Sequence, residues 1–508
     1  MDVFEFKLDT TWVTPLALLI MTALLLYVYG TWTFSTWSRQ GIPGPKPLPY
    51  IGNVNALRKD GIFKTITDWS KKYGKFFGLY LMRQPLLLTT DVEILKEVFV
   101  KDFTNFPERA VDTALAPYPM GLGLAFVKGE QWRRQRLVMT PTFSASKLKM
   151  MGSFISRCCD NLVKAIGKST EEGKLLDVKR LFGSYTLDVI AGTSFGFETN
   201  CFENDDNVFL QCAKEVFGGA QQFGVASVIA AMFPPLGPVL RKMGFSSSPL
   251  KETRFLIDTI AAVIDERHRN NSKAHQDLTQ LMLDAEATDA EVTKNPDRKQ
   301  LTRDEIIAQG LLFFVAGYET TATTLQYLSY LLALNPERQE KLHDAVVAAI
   351  GDEDVCYSNV MNIPYLDCCI REALRIFPAV AIMNRVAKEE RTINGVTIPA
   401  GTHVGANIIA LMRDEEFFPE PLKFLPERYM FDDEKQPIPQ FVKDMVFGAG
   451  PRQCIGMRLA LFETKMAAAS VIRKFRFVKA EETPTEITFG KTGLSAPDKP
   501  IFVATERR

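Results

Sequence analysis

The first marked pattern along the chain is a long uncharged stretch near the amino terminus. Residues 10–38 carry no charged side chain, and the run 15–29 is almost continuously apolar. A helix needs about 20 such residues to cross ~30 Å of hydrocarbon, so the pattern predicts a membrane-spanning helix. The stretch also contains aromatic residues of the kind that favour a membrane interface, namely Trp12, Tyr27, Tyr29, Trp32 and Trp37.

The flanks of this stretch distinguish a retained anchor from a cleaved targeting peptide. A signal peptide has a basic start, whereas this chain begins with the acidic residues Asp2, Glu5 and Asp9. A mitochondrial presequence is rich in arginine, but the first arginine here is Arg39. Acidic residues before the span and basic ones after it predict a lumenal tip and a cytosolic body. Residues 1–38 are therefore predicted to be a transmembrane signal anchor.

Two further stretches affect how the body meets a membrane. Prolines alternate through 41–49 and favour stiff, extended backbone, so 39–50 is predicted to be a semi-rigid linker to a body at 51–508.

Residues 216–240 are also uncharged, but several glycines and prolines interrupt them. We expect part core helix and part surface dipping into the membrane there, with a simple core segment as the alternative.

Helical signals dominate the body. Thr302 and Glu305 have the spacing of a capping box, and the helix that they open is expected to run to Leu334, before Asn335–Pro336. At 1.5 Å per residue this helix is about 48 Å long. Its centre, 311–317, is apolar on all sides, which indicates a buried helix.

Strand signals are fewer. Segments 77–81 and 86–89 are typical of a hairpin, and 392–398 contains an Asn-Gly pair that favours a tight hairpin turn. The polar segment 286–300 is predicted to be a surface loop. The chain is therefore predicted to be mainly α with a small β region, an α+β fold.

Composition narrows the possible functions. The 508 residues include 60 Lys+Arg and 60 Asp+Glu, and this balance argues against nucleic acid as a partner. An apolar share of 46% excludes a disordered chain. The eight cysteines include no CxxC pair, which argues against a zinc ribbon or thioredoxin-like centre, and we expect reduced, buried thiols.

The segment 447–456, FGAGPRQCIG, contains the most informative chemistry. Cys454 is a soft thiolate donor for a metal, and backbone N–H groups stabilise thiolates. The glycines, Gly448 and Gly450 among them, permit a tight loop that a flat ligand can approach closely. Phe447 is placed to cover the sulfur, and Arg452 to neutralise a carboxylate. A helical run follows at 457–473, so its positive end would face the thiolate.

This segment matches all spaced positions of Phe-Gly-x-Gly-x-Arg-x-Cys-x-Gly, and it resembles the haem-binding signature of the cytochrome P450 family, the haem-thiolate monooxygenases. The resemblance implies haem b (iron protoporphyrin IX) as cofactor, with Cys454 as the axial iron ligand. It also implies that Phe447, Gly448, Gly450 and Arg452 belong to the cofactor-binding loop.

The segment 316–321 lies mid-way along the long helix and places Thr320 and Glu319 in apolar surroundings. A threonine there can bond back to a preceding carbonyl and deform the helix, with room left by Gly317. The segment resembles the acid–alcohol pair of the family. That resemblance implies that Thr320 hydrogen-bonds dioxygen in the pocket while Glu319 and water relay protons.

Weaker segments agree with the same family. Glu372 and Arg375 resemble its Glu-x-x-Arg pair, with Arg428 completing a buried structural triad. Trp132 and Arg136 resemble its Trp-x-x-x-Arg, in which both side chains meet a haem propionate. Arg385 fits a further propionate-binding arginine. Because these motifs converge on one haem, 51–508 is predicted to be a single catalytic domain.

The resemblance extends over essentially the whole chain and is strongest to the microsomal family 3-like branch. It implies a monooxygenase of the endoplasmic reticulum membrane that acts on lipophilic substrates of xenobiotic, steroid or fatty-acid type. No flavin or nicotinamide fingerprint is visible, so electrons would come from NADPH-cytochrome P450 reductase, with cytochrome b5 as a second partner. The alternative is a peroxide-rearranging isomerase of thromboxane-synthase type, against which the presence of Thr320 counts.

Two surfaces are also predicted. The expected pocket walls are Phe313, Phe314, Ala316 and 379–382, although core packing explains the phenylalanines equally well. A basic docking face for the electron donor is expected at Arg133, Arg134 and Lys443.

Overall fold

The computed structural model describes residues 13–111, 113–202, 207–218, 225–270, 277–294, 298–430, 438–491 and 493–508. The acidic tip and Trp12, which contribute to the predicted membrane orientation, lie outside these residues. So does the segment 219–224 of the second uncharged stretch.

The amino-terminal half of the described chain is built from helices. Their bounds are α1 (Val13–Thr31), α2 (Val54–Asp60), α3 (Ile62–Tyr73), α4 (Val92–Lys96), α5 (Gly129–Met139), α6 (Ala145–Glu171), α7 (Val178–Phe195), α8 (Val208–Gly218), α9 (Val225–Met232), α10 (Gly237–Lys242) and α11 (Leu250–Asn270).

The carboxyl-terminal half contains the longest helix, α14. The bounds here are α12 (Leu278–Leu283), α13 (Asp289–Lys294), α14 (Arg303–Leu334), α15 (Pro336–Ile350), α16 (Tyr357–Val360), α17 (Pro364–Ile376), α18 (Ile408–Met412), α19 (Gln440–Asp444) and α20 (Met457–Ile472).

The strands form three small sheets. They are β1 (Phe76–Leu81), β2 (Gln84–Thr89), β3 (Leu176–Asp177), β4 (Ile382–Val386), β5 (Arg391–Ile393), β6 (Val396–Ile398), β7 (His403–Asn407), β8 (Phe475–Val478) and β9 (Phe502–Arg507). The largest sheet has the order β1-β2-β7-β4, the second β3-β9-β8, and β5 pairs with β6 alone. Among the paired strands of the described residues, only β2 and β7 run parallel. The predicted α+β class, mainly helical with a small β region, is confirmed.

The long helix begins where the capping box predicts. The Thr302 side chain accepts from the Glu305 N–H, and the Glu305 carboxylate accepts from the Thr302 N–H. The helix ends at Leu334, before Asn335. Its central turns are buried against α7, α11 and α20 in the main hydrophobic core. This helix is the axis around which the site is assembled.

Both predicted hairpins are present. β1 and β2 pair antiparallel with Leu81 opposite Gln84, so Gln84 and Pro85 belong to the strand rather than to the turn. In the β5–β6 hairpin, Asn394 and Gly395 both have positive φ (48° and 78°), as a tight primed turn requires. The prediction of a loop over 286–300 was partly wrong, because the exposed helix α13 forms within it.

The cysteines are free thiols in the structure, and six of the eight are buried. Cys356 departs from the prediction, since it is exposed at the start of α16. Cys454 is accessible from an internal cavity described below.

The anchor helix is joined to the body by specific contacts. The Tyr50 hydroxyl donates to the Leu26 carbonyl at 2.5 Å, and Arg83 donates to the Tyr29 carbonyl at 3.0 Å while lying over the Tyr29 ring. Trp37 is 2% exposed, and its indole N–H donates to a carbonyl of β1. The chain between anchor and body is therefore packed onto the first sheet rather than extended through solvent.

A buried ion network joins α17 to the segment before α19. Arg375 binds both carboxylate oxygens of Glu372, at 2.8 and 2.9 Å, and both side chains are fully buried. Arg428 donates to the same carboxylate at 3.1 Å, as does the Leu425 N–H at 3.0 Å. Arg375 also donates to the carbonyl of Met412, the last residue of α18. Glu372 and Arg375 together thus connect α17 to the end of α18 and to the segment before α19.

Replacing Glu372 with Ala leaves Arg375 buried without its counter-charge. Because breaking one partner of a buried ion pair costs about 3–5 kcal/mol, we expect a loss of that size in the free energy of unfolding. Denaturant unfolding followed by circular dichroism measures it. Asp68→Ala, which removes the exposed Lys64–Asp68 pair, is the control and should leave the midpoint unchanged. A loss for Glu372→Ala no larger than for the control would contradict the role of the network.

Candidate active site around Cys454

The loop 447–456 is held closed by its own backbone. The Cys454 N–H donates to the Phe447 carbonyl at 2.9 Å, and the Gln453 N–H donates to the Gly450 carbonyl at 2.9 Å. Gly448 and Gly450 have φ of 79° and 72°. A Cβ at Gly450 would also lie 1.9 Å from the Phe99 carbonyl oxygen, so only glycine fits there. The backbone geometry of the loop therefore explains why glycine occupies these two positions in the sequence.

The Cys454 thiol lies deep in the protein at the wall of a cavity of about 500 Å³. Burial raises the pKa of the thiol. The Gly456 N–H, then Arg109 and Arg136, act in the opposite direction, followed by the Met457 N–H. A metal ion that binds the sulfur deprotonates the thiol. The two N–H groups and the two arginines then stabilise the resulting thiolate. Cys454 is thus the side chain best placed to hold a metal at this cavity.

Four arginines line the same cavity: Arg109, Arg136, Arg385 and Arg452. Burial, followed by Arg109 and Arg452, lowers the pKa of Arg385 to about 9. Its guanidinium donates to the Asn384 carbonyl at 2.8 Å, while its Nε is buried without a partner. A cluster of mutually repelling cations with an orphaned donor is a site for anions. Carboxylates of a bound cofactor, such as the propionates of haem, fit these groups.

Arg452 differs from the other three arginines because groups of the protein already accept the hydrogen bonds of its guanidinium. It forms an ion pair with Glu108 at 2.7 Å and donates to the carbonyls of Pro107 and Val127. Its guanidinium lies 4.2 Å from the Trp132 ring centroid. The carboxylate that Arg452 neutralises in this structure is therefore Glu108. Trp132 is buried and lines the cavity, as does the half-buried Arg136.

The two predicted residues of α14 point in different directions. Thr320 lines the cavity and its hydroxyl donates to the Ala316 carbonyl at 2.8 Å, and the helix nevertheless stays α-helical throughout. Glu319 is absent from the described cavity lining. It is buried against α7, where its carboxylate accepts from Lys179 at 2.6 Å. A Cβ at Gly317 would lie 2.8 Å from Ile190, so glycine permits this close helix contact.

The cavity wall is mostly apolar. Five residues of the predicted wall line it: Phe313, Ala316, Ala379, Val380 and Ile382. Phe314 and Ala381 do not belong to the described lining, because each packs into a hydrophobic cluster instead. Such a wall, interrupted by a few polar groups, suits a lipophilic small molecule.

The predicted basic docking face requires a correction. Arg134 is buried and binds Glu305 with its guanidinium at 2.6 and 2.8 Å, so it connects α5 to α14 and does not face solvent. Arg133 is exposed and Lys443 is half-buried.

Several residues at the site were not anticipated from the sequence, namely Glu108, Arg109, Lys179 and Glu463. The first three lie in segments without a local motif, and their pairings depend on the fold. Glu463 had one weak signal, since it directly follows the apolar run 459–462 of the helix after Cys454.

Comparison with known proteins agrees with this geometry. The family model "Cytochrome P450" matches residues 42–505. The chain is 36% identical to lithocholate 6-beta-hydroxylase of Mesocricetus auratus, with 97% of this chain and 96% of that protein covered. It is 35% identical to cytochrome P450 3A9 of Rattus norvegicus, covering 97% and 96%, and 35% identical to cytochrome P450 3A5 of Homo sapiens, covering 100% and 99%.

The site combines a thiol at the cavity wall, cations for an anionic cofactor and a hydroxyl group on the long helix. The sequence also matches the family over nearly its full length. The chain belongs to the cytochrome P450 family of haem-dependent monooxygenases.

Proposed function

We propose that this protein is a membrane-bound haem-thiolate monooxygenase that inserts one atom of dioxygen into lipophilic substrates. Its electrons come from NADPH through a separate reductase. The observation that supports this most directly is the shared cavity, which Cys454 and Thr320 both line within an apolar wall.

The cofactor of this proposal is haem b, which when bound supplies the activation of dioxygen. Cys454 is its ligand, and the loop glycines Gly448 and Gly450 let the flat group approach. Arg109, Arg136 and Arg385, with Trp132 beside them, bind the propionates. Arg452 acts indirectly in this scheme, because its ion pair with Glu108 holds the loop against the segment before α5.

The residues of α14 hold and move protons. Thr320 lines the cavity with its hydroxyl group, and Glu319 forms an ion pair with Lys179 behind the helix. Burial lowers the pKa of Lys179 even though Glu319 acts in the opposite direction. Lys179 is 27% exposed, so the pair reaches from the helix interior towards solvent. We assign this pair to proton entry and Thr320 to the last hydrogen bond in the cavity.

The substrate class follows from the cavity. The haem would share this cavity of about 500 Å³ with the substrate, so the chemistry of the wall bears on the substrate class more directly than the volume does. Its apolar wall selects lipophilic compounds by excluding water. The similarity to lithocholate 6-beta-hydroxylase supports steroids as one candidate class, beside xenobiotics and fatty acids.

The domain and membrane arrangement completes the proposal. Residues 1–38 are a signal anchor in the endoplasmic reticulum membrane, 39–50 form the proline-rich segment, and 51–508 are the cytosolic catalytic domain. The region Thr14–Gln40 contains a helix long and apolar enough to span a membrane. A second contact with lipid is supported by exposed apolar side chains on α9, on α10 and beside them. These are Val225, Leu236, Val239, Met243 and Phe245. Tyr29 of the anchor stacks on Phe233 beside them.

NADPH-cytochrome P450 reductase is the proposed electron donor, with cytochrome b5 as a further partner. The exposed Arg133 lies on α5, the helix that also carries Trp132 and Arg136. An acidic partner that docks at Arg133 therefore sits close to the cofactor-binding side chains.

Spectroscopy of the carbon monoxide complex tests thiolate ligation. The reduced protein is expected to show the long-wavelength Soret band of thiolate-ligated haem. Cys454→Ser should lose this band, whereas Cys356→Ser, which changes an exposed thiol outside the cavity lining, should keep it. Retention of the band in Cys454→Ser would refute the assignment.

Replacing Thr320 with Ala tests oxygen activation. A positioned proton-transfer group contributes about 10²–10⁴-fold, so product per NADPH should fall at least about tenfold while haem is retained and peroxide release rises. Thr320→Ser keeps a hydroxyl and should preserve most of the coupling. Rearrangement of a lipid peroxide by the wild type without NADPH or reductase would instead support the isomerase.

Glycosylation mapping tests the orientation. A glycosylation acceptor added before Met1 should be modified in microsomes, because the tip is proposed to be lumenal. The same acceptor added after Arg508 should stay unmodified. The reverse pattern would invert the proposed topology.

A further inference from the structure

A buried carboxyl group lies in the cavity wall and has no part in the scheme above. Glu463, on α20, is 3% exposed and lines the same cavity as Thr320. Its Oε1 accepts a hydrogen bond from the Thr321 hydroxyl of α14 at 2.6 Å. The hydrogen-bond donor to Glu463 is therefore Thr321, the residue directly after Thr320.

The partners of Glu463 set it apart from the other buried carboxylates. Among the described residues, six carboxyl side chains are buried: Asp188, Asp277, Glu305, Glu319, Glu372 and Glu463. Four of these form ion pairs with arginine or lysine. Asp188 pairs with no cation of the described residues but accepts from the Thr199 hydroxyl and the Cys201 N–H, and it is not part of the described cavity lining. Glu463 alone combines a place at the cavity with a single neutral donor.

A carboxyl group in that position is expected to be neutral. Charging it would place an unpaired anion in an apolar interior, which costs far more than protonation. Burial accordingly raises the pKa of Glu463 to about 8, and the Thr321 hydrogen bond acts in the opposite direction.

The neighbouring titratable groups do not replace the missing cation. Tyr185 of α7 donates to the backbone carbonyl of Glu463 rather than to its side chain, and Cys159 of α6 contacts Tyr185. Lys465 of the same helix is paired with Asp367 of α17, at 2.9 Å. Three further groups on packed elements have other partners: Glu319 binds Lys179, Tyr357 of α16 packs on Phe462, and Arg476 of β8 binds Glu340 of α15.

We propose that Glu463 is a protonated carboxylic acid that delivers its proton to water in the cavity, and that Thr321 stabilises the carboxylate left behind. The carboxyl O–H bond breaks, its electron pair stays on the carboxylate, and the proton joins a cavity water. Water later returns a proton to the carboxylate, and no electron is transferred. The use of this proton in turnover rests on the proposed monooxygenase function, but the acid itself does not.

The two carboxyl groups beside the centre of α14 then have different roles. Glu319 is paired with a cation that is partly exposed to solvent, whereas Glu463 is unpaired and lines the cavity. Two carboxyl groups whose environments favour opposite protonation states are the usual arrangement for separate base and acid roles.

Infrared spectroscopy of the full-length haem protein in lipid nanodiscs tests the proposal without any substrate. The wild type should show a carboxylic-acid C=O band that disappears with a midpoint near pH 8. The band should be missing in Glu463→Gln and present in Glu319→Gln. Transfer to D2O should shift the whole band within the time of buffer exchange, because cavity water reaches the group.

Thr321 provides the matched pair of variants. Thr321→Val removes the hydrogen bond that favours the anion, so the midpoint should move to higher pH. Thr321→Ser keeps the hydroxyl and should leave the midpoint in place. Glu463→Asp retains an acid and should restore a titrating band, which keeps the test valid if the glutamine variant folds poorly.

Three outcomes would overturn the inference: no band that depends on Glu463, a band that ignores D2O, or a midpoint that Thr321→Val does not raise. A protein that failed the carbon monoxide or coupling tests would still show the band. The failure of the proposed function and the failure of this inference are therefore distinguishable.

Discussion

The requirement to keep one sulfur accessible inside a folded core shapes much of this protein. Cys454 needs N–H groups of the following helix, a closed loop and an open cavity at the same time. The left-handed glycines close the loop, and the ion pair between Arg452 and Glu108 ties it to a segment more than 300 residues earlier. That tie holds the loop against the segment that carries Arg109, where the sulfur and the cationic cluster line one cavity.

Charge burial is the second recurring theme, and the protein handles it in two ways. Around Glu372, Glu305 and Glu319 each anion has a cation within hydrogen-bonding distance, so the charges fix segments relative to one another. Around Arg385 and Glu463 the described residues supply no such partner, so each group is unfavourable in its charged form. The unpaired groups both line the cavity, which is where a ligand or water can meet their needs.

Local features of the fold could be predicted from the sequence because their causes are local. The capping box at Thr302, the Asn-Gly hairpin and the apolar anchor each depend on a few neighbouring residues. The contacts of Arg134 with Glu305 and of Glu463 with Thr321 depend instead on how distant helices pack. No spacing along the chain encodes such contacts, so Arg134 was misplaced on a docking face. Resemblance to a family supplied the positions of Trp132, Arg136 and Thr320, whereas Arg109 had no comparable signal.

The packed junction between anchor and body has a consequence for encounters with other proteins. Because Tyr50 and Arg83 bind the end of α1, and Trp37 is embedded beside β1, the anchor and body turn together. In the proposed membrane-bound arrangement, a body held this way rotates mainly about the membrane normal instead of tumbling in all directions. Orientational search is a large part of what slows protein association. A partner anchored in the same bilayer then meets this protein by diffusion in the membrane plane. Most of the relative orientations that do not allow docking are already excluded.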